Sequence, residues 1–408
     1  MMQKRQIHTT CGLTILLSTT LTAIACRQPT TSTTQPIETP DKEPVKVQES
    51  TPIDTDFFGE PMFYDSVHHY QMSMKPEERN YPRYRPEQVD EIVANFVLLQ
   101  NDDGGWPKNL DWFKIPSGSS PQERIRSLHP EPGAPSTLDN RNIWSQLLYF
   151  IHAYEQAPSD AIKNSFIKGL NYVFAKQNPI SRGWRGADVE GVTYNDDVMV
   201  GVLYFLREFT EGGSHLAKDL DETLRQKART SFQEGLDCIL KTQVRRADGS
   251  LTAWAQQYDH QTLKPIEARA FEPAALSALE SVNVVRFLMM FEKPSKEIQD
   301  AIRGAMAWFE LSKIRGIRVD TVDAPPIQFP HRFSDKDRVA VEDPNAPPIW
   351  ARFYDLETNK PIFSNRKSEI LTNFNDIPRE RREGYNWYGY WPQDLIETHY
   401  PEWQRRNP

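Results

Sequence analysis

EIVANFVLLQNDDGGW (91–106), GLNYVFAKQNPISRGW (169–184) and GLDCILKTQVRRADGSLTAW (235–254) share one plan. Each is an apolar-periodic helix ending in Gln, then a polar turn, then a Trp after small residues. The glutamines are Gln100, Gln177 and Gln243, spaced 77 and 66 residues apart. Further helical patterns lie between them at Ile143–Glu155, Asp197–Phe209 and Glu222–Leu240. A fourth, divergent copy runs Ala301–Lys313, followed by Arg315-Gly316. Repeated helix pairs with their loops gathered on one face predict a mainly α fold, an α/α toroid of helix-hairpin repeats. Its tryptophan-bearing loops then lie on one rim, where sites are commonly built. The competing reading for each Trp is core packing of its own hairpin, expected for at least one of them.

The texture changes near Arg315. Prolines and aromatics become frequent, with short alternating runs at Ile317–Val319, Trp350–Tyr354 and Pro361–Phe363. This predicts a smaller, partly β region, 315–408, that completes a cleft with the helical body, 56–314.

At the other end, Lys4 and Arg5 precede an apolar run, Gly12–Ile24, of signal-peptide length. It ends in Ala23-Ile24-Ala25-Cys26, which is similar to a bacterial lipobox. Residues 1–26 are therefore expected to be a lipoprotein-type signal peptide, and Cys26 the anchor of an outer-membrane or cell-surface lipoprotein. Plain secretion with cleavage near Ala25 is the alternative. Residues 27–55, rich in Thr, Pro, Ser and Glu, read as a flexible tether.

Composition narrows the function. The 408 residues carry a net charge of −8, the wrong sign for a non-specific nucleic-acid binder. An acidic ligand stays open, because a local basic cleft or a metal reverses the sign. Of Cys11, Cys26 and Cys238 only the last belongs to the body, so neither an internal disulfide nor a zinc site is expected. No Walker sequence or HExxH motif occurs. The chain is read as a monomer.

Polar clusters stand where loops meet helices. Asp102-Asp103 follows the first Gln; Asp139-Asn140 precedes the helix from Ile143; Asn195-Asp196-Asp197 precedes the helix from Val198. The last two read either as N-caps or as oxygen ligands for calcium. In Trp254–Leu288, Ala268-Arg269-Ala270-Phe271-Glu272 puts an arginine and a carboxylate before an apolar helix carrying Ser277, Glu280 and Ser281. That set is either a structural tether or a site. Arg352 sits in Trp350-Ala351-Arg352-Phe353-Tyr354-Asp355. Guanidinium forks match carboxylates, so these arginines, the acidic clusters and the tryptophans together point to an acidic carbohydrate.

Those residues resemble the pectate lyases of polysaccharide lyase family 10. The similar motifs are QNDDGGWPKN (100–109), TLDN (137–140), YNDD (194–197), ARAFE (268–272), Glu280-Ser281, WARFYDLETNKPIFSNR (350–366) and YNWYGYWP (385–392). The resemblance implies cleavage of polygalacturonate, or a related acidic polysaccharide, by calcium-assisted β-elimination. Carried onto matching positions, it implies Asp139 and Asp196 as Ca²⁺ ligands and Arg269 as the base. Arg352 is implied as a contact to the substrate carboxylate, and Lys108, Asn140 and Tyr388 as further substrate contacts. The chain departs from the family pattern at 141–144, 181–186 and 275–281, where Arg141, Arg182 and Arg185 read as added uronate binders. Two alternatives stay open: a surface uronan-binding homologue without catalysis, and an α/α glycoside hydrolase using Glu272 and Glu280.

Overall fold

The periodic stretches fold as helices because each offers an apolar face at helical spacing. The structure, a computed structural model, describes residues 60–408 apart from 73, 130, 330 and 331. The expected signal peptide with Cys26, the tether 27–55 and residues 56–59 lie outside the described residues. The helices are α1 (Tyr64–Met72), α2 (Val89–Leu99), α3 (Pro121–Leu128), α4 (Trp144–Gln156), α5 (Asp160–Lys176) and α6 (Val198–Glu211). They continue as α7 (His215–Lys218), α8 (Glu222–Thr242), α9 (Ala278–Met289), α10 (Lys296–Leu311) and α11 (Arg379–Glu383). Strands are short: β1 (Val192–Thr193), β2 (Gln257–Tyr258) and β3 (Leu276–Ser277) precede a long pair, β4 (Ile317–Phe329) and β5 (Arg332–Glu342). Then come β6 (Trp350–Ala351), β7 (Phe353–Tyr354), β8 (Pro361–Ser364), β9 (Ile370–Leu371) and β10 (Tyr388–Gly389). The fold is mainly α. Among the described residues no helix is long and apolar enough to cross a membrane.

The helices sort into two files. α4, α6 and α9 are buried along most of their length and pack in succession, α4 on α6 and α6 on α9. α5, α8 and α10 flank them and bury a single stripe each. The flanking helices start at side-chain caps, Ser159, Asp221 and Ser295, which accept backbone N–H groups of the first turn. The central helices start without one. The capping reading of Asp139-Asn140 and Asn195-Asp196-Asp197 therefore fails: no side-chain cap bond is made at the start of α4 or α6.

The repeated glutamines lock the hairpins together. Gln100 Nε2 donates to Gly104 O (2.7 Å) and to Ser165 O on α5 (2.9 Å). Gln177 Nε2 donates to Arg182 O and to Ser231 O on α8 (2.9 Å each). Gln243 Nε2 donates to Thr252 O (2.7 Å) and to Ala301 O on α10 (2.8 Å). Each glutamine ties its own loop to the next flanking helix, satisfying backbone carbonyls that burial would otherwise strand.

The tryptophans are all core. Trp106, Trp184 and Trp254 are fully buried. Their indole N–H groups donate to Phe96 O, Val173 O and Ile239 O, each on the helix just before the loop, at 2.8–2.9 Å. None stands on a rim for a sugar to stack on. Trp350 repeats the bond on the fourth hairpin, to Phe309 O at 2.9 Å. It comes late in sequence because the β4–β5 hairpin is inserted between α10 and its tryptophan; Ile314 and Ile349 close the insertion with reciprocal 2.9 Å bonds. The remaining strands form small antiparallel sheets, β3-β7-β8-β9, β1-β2 and β6-β10. β3, just before α9, thus joins the C-terminal strands to the helical body.

Candidate active site

The starts of α4 and α6 carry an unusual backbone. Asn140, Arg141 and Ile143 have φ of +54°, +57° and +71°, and Asp196 and Asp197 have +54° and +56°. For non-glycine residues such angles cost of order 1–3 kcal/mol each and cluster at functional sites; the β-branched Ile143 is the most costly kind. The surrounding bonds hold the strain. Arg141 N–H reaches Asp196 O (3.3 Å), and the Arg141 guanidinium pairs with Asp197 (2.7 Å). Asp197 also accepts from Asn283 of α9 (2.6 Å). Asp197 is thus a structural anion, while Asp139 and Asp196 are turned to other partners.

Asp139 is buried and holds the Lys108 ammonium. Beside it Asn140 donates to Asn109 Oδ1 at 2.6 Å. The loop after Trp184 comes so close that a Cβ on Gly186 would sit 2.9 Å from Asp139 Oδ1. Asp196 accepts from Asn195 Nδ2 (2.9 Å), and part of its surface reaches solvent. Burial pushes its carboxyl pKa well above the usual range, and the carboxylates of Asp139 and Asp65 push it further, against the pull of Arg269 and Arg352. Asp65 lies on α1. It holds His69 at 3.2 Å and also feels Arg141. Nothing in the sequence pattern marked it, because it stands far from every motif in the chain.

A second cluster is built from arginines. Arg352 is buried. It pairs with Glu280, donates to Asn195 Oδ1 (2.9 Å) and lies 4.4 Å above the Tyr385 ring. Asn195 links it directly to Asp196. Arg269 is more open: it forks onto Glu272 at 2.6 and 2.9 Å and approaches Asp188 at 3.6 Å. Burial alone would lower its pKa, but the Glu272 fork outweighs that and raises it above the normal guanidinium value, with help from Tyr385 and Asp196. Glu272 is held below the usual carboxylate range: burial opposes ionisation, but the Arg269 bond outweighs it, and Arg352 and Tyr385 assist. Tyr385 O–H donates to Glu272 at 2.8 Å.

Lys108, Asp139, Asn140, Asp196, Arg269 and Arg352 therefore meet in one region through direct bonds or through charge. Tyr388 does not join them; its ring packs on Phe363 and Phe374, 5.3 Å from each, and burial pushes its hydroxyl up to about 12. Tyr385, three residues earlier in the same motif, is the tyrosine that reaches the arginines. Arg141, Arg182 and Arg185, read as added uronate binders, pair with Asp197, Glu234 and Glu190. Glu272 and Glu280, the acids a hydrolase would need, are both buried and both engaged by arginine.

Calcium can be tested against the donor set. Asp139 and Asp196 present hard carboxylate oxygens, the type Ca²⁺ takes, and the two carboxylates lie close enough to repel each other. Among the described residues, no three His, Cys, Asp or Glu side chains form a group that would hold a metal by themselves. The chemistry fits a cation that draws part of its coordination from another molecule.

The comparisons agree with this chemistry. A family described as pectic acid lyase matches residues 100–396. The fold is similar to that of a family 10 polysaccharide lyase from Cellvibrio cellulosa, at 26% identity over 77% of this chain and 92% of that one, with a TM-score of 0.63. It is equally similar to an aspartate-to-alanine mutant of a family 10 lyase from the same organism in complex with trigalacturonic acid, at 25% identity over 79% and 93%, with a TM-score of 0.63. No curated protein sequence matches. With the strained helix starts and with Asp139, Asp196, Arg269 and Arg352 all inside the matched span, the chain belongs to the pectic acid lyase family and is a pectate lyase of polysaccharide lyase family 10.

Proposed function

We propose that the protein is an exported, lipid-anchored lyase that cleaves polygalacturonate by calcium-assisted β-elimination with Arg269 as the base. The observation that carries this reading is the meeting of an open arginine, Arg269, and a buried one, Arg352, with the acids Asp139 and Asp196. The Cellvibrio complex with trigalacturonic acid supports an acidic galacturonide as substrate. We take 56–314 as a toroid of helical hairpins and 315–408 as the region completing its cleft, with Cys26 as the outer-membrane or cell-surface anchor.

The proton on C5 lies next to the uronate carboxylate. Arg352, fixed by Glu280 and Tyr385, orients that carboxylate. Arg269 in its neutral form takes the C5 proton; the electron pair left behind forms the C4–C5 double bond as the C4–oxygen bond breaks, and the oxygen departs on the neighbouring sugar and takes up a proton from water. Bound by Asp139 and Asp196, Ca²⁺ would supply positive charge to the substrate carboxylate as negative charge builds up there. In the free protein Glu272 keeps Arg269 charged, so the neutral base becomes available only as pH rises. Activity is expected to climb through the alkaline range.

The test is ultraviolet absorbance of unsaturated products from polygalacturonate, with and without chelator. The expected result is absorbance that grows with calcium and alkali and vanishes in Arg269→Ala. Turnover persisting in that variant removes Arg269 as base. A second reading, uronan binding without turnover, has the Glu272 fork on Arg269 in its favour; it predicts oligogalacturonate binding with no new absorbance at any pH.

A further inference from the structure

The loop that carries Lys108 is pinned from several directions. Trp106 anchors its start to Phe96 O. Ser66 of α1 grips Leu110 twice, donating to its carbonyl (2.8 Å) and accepting from its N–H (3.0 Å). Asn109, in the left-handed region at φ +64°, takes the Asn140 amide. α1 lies before residue 100, where the family match begins. Held this way, the Lys108 ammonium reaches the buried Asp139 carboxylate while 29% of its own side chain stays exposed. On the Oδ1 side of Asp139 stands Gly186, where a Cβ would sit 2.9 Å from that oxygen. The one cation in contact with this carboxylate, among the described residues' ion pairs, is the protein's own.

We infer that Lys108 is a built-in counter-ion that competes with the divalent cation for Asp139. In the free protein the ammonium satisfies the carboxylate; the cation binds there by displacing it. This inference rests on the calcium reading above. It makes metal binding weak in the absence of sugar. A galacturonide favours the exchange by adding a carboxylate to the site, which both coordinates the cation and receives the displaced ammonium. A unit charge at contact distance near a protein surface changes affinity by at least about tenfold.

The experiment is calorimetric titration of Ca²⁺ alone, without sugar, into the wild type, Lys108→Met and the double variant Lys108→Met/Asp139→Asn. Circular dichroism and thermal melts check that each is folded. Lys108→Met is expected to bind Ca²⁺ at least tenfold more tightly than the wild type, and the double variant to lose that gain. Equal or weaker binding by Lys108→Met overturns the inference, as does a gain that survives loss of Asp139. A wild type that binds as tightly as Lys108→Met sinks the counter-ion role and leaves the calcium reading standing. Binding by none of the proteins, even with trigalacturonate present, sinks both.

Discussion

Glu272 is 2% exposed and accepts from the Arg269 fork, the Tyr385 hydroxyl and the Gln256 amide (3.3 Å). A buried carboxylate with that many donors is stable only as the anion, and its partners lose most when it is removed. Glu272→Gln should lower stability by about 3 kcal/mol at neutral pH. The folded-state pKa of Glu272 is depressed below its ordinary value of 4.5. Its contribution is therefore complete above that value and is lost as pH falls through the folded pKa. Melting temperature measured from pH 7 to pH 3 should fall more steeply for the wild type than for Glu272→Gln. Identical acid slopes would show that this carboxyl titrates alike in the folded and unfolded chains. The same residue sets the catalytic question, because it keeps Arg269 protonated. In Glu272→Gln the alkaline rise in whatever turnover remains should move to lower pH; an unmoved profile would separate the fork from the base.

At the scale of the element, the glutamine lock makes a sharper test of the repeat than the helices do. Ser165 and Ser231 donate their hydroxyls back to Gln100 Oε1 (2.7 Å) and Gln177 Oε1 (2.8 Å). The third copy has Ala301 in that place, and Gln243 Oε1 is buried without a hydrogen-bond partner among the described residues. Ala301→Ser should supply the missing donor and stabilise the protein by about 1 kcal/mol; a neutral or lowered denaturation midpoint would show that the third copy is not built like the others. Four residues on, Gly169 and Gly235 admit the tryptophan of the preceding loop. A Cβ on Gly235 would sit 2.7 Å from Trp184 Cζ3, so Gly235→Ala should cost about 1–3 kcal/mol in urea unfolding. Helix positions were legible in the sequence because their apolar residues are periodic, and the glutamines because each ends such a helix. The burial of all the tryptophans was not: a Trp after a polar turn looks the same whether its ring points at solvent or back under its own helix. The sequence also carries a second repeat. Tyr258-Asp259-His260-Gln261-Thr262 and Tyr354-Asp355-Leu356-Glu357-Thr358 make the same turn, each Asp Oδ1 taking the Thr N–H (2.7 Å) and each Tyr hydroxyl the N–H three residues back (2.5 and 3.0 Å). That register sets Arg352 at the place of Gln256, and Gln256 already touches Glu272.

At the scale of the whole molecule, the site draws on segments that share no motif. Asp65 comes from α1, Asp139 and Asp196 from two strained helix starts, Arg269 from the loop before β3, and Arg352 and Tyr385 from the C-terminal region. Motif reading found the residues that sit in compact stretches but missed Asp65, which lies in no motif, and chose Tyr388 over Tyr385 within one motif, because long-range packing alone decides which tyrosine reaches the arginines. The β4–β5 hairpin shows how remote parts bear on the site. Among the described residues it makes no bond to Arg269, but it holds α11: Arg379 donates to Pro325 O (2.7 Å), Lys336 O (2.8 Å) and Ser334 O (3.3 Å), and Arg382 forks onto Asp337 at 2.6 and 3.0 Å. α11 leads straight into Tyr385, which supports Arg352 and Glu272 together. The hairpin's base is already closed, by the Ile314–Ile349 pair and by Asp343 N–H on Gly316 O (2.8 Å), so 317–342 can be replaced by a short turn without pulling the fourth hairpin apart. Such a deletion should leave the far-ultraviolet helical signal and the Trp350–Phe309 lock in place, while kcat/KM on polygalacturonate falls at least about tenfold as Tyr385 loses its support. Undiminished activity would show that Tyr385 is held from elsewhere. Loss of the helical signal would show that the hairpin is part of the core and not a brace on it.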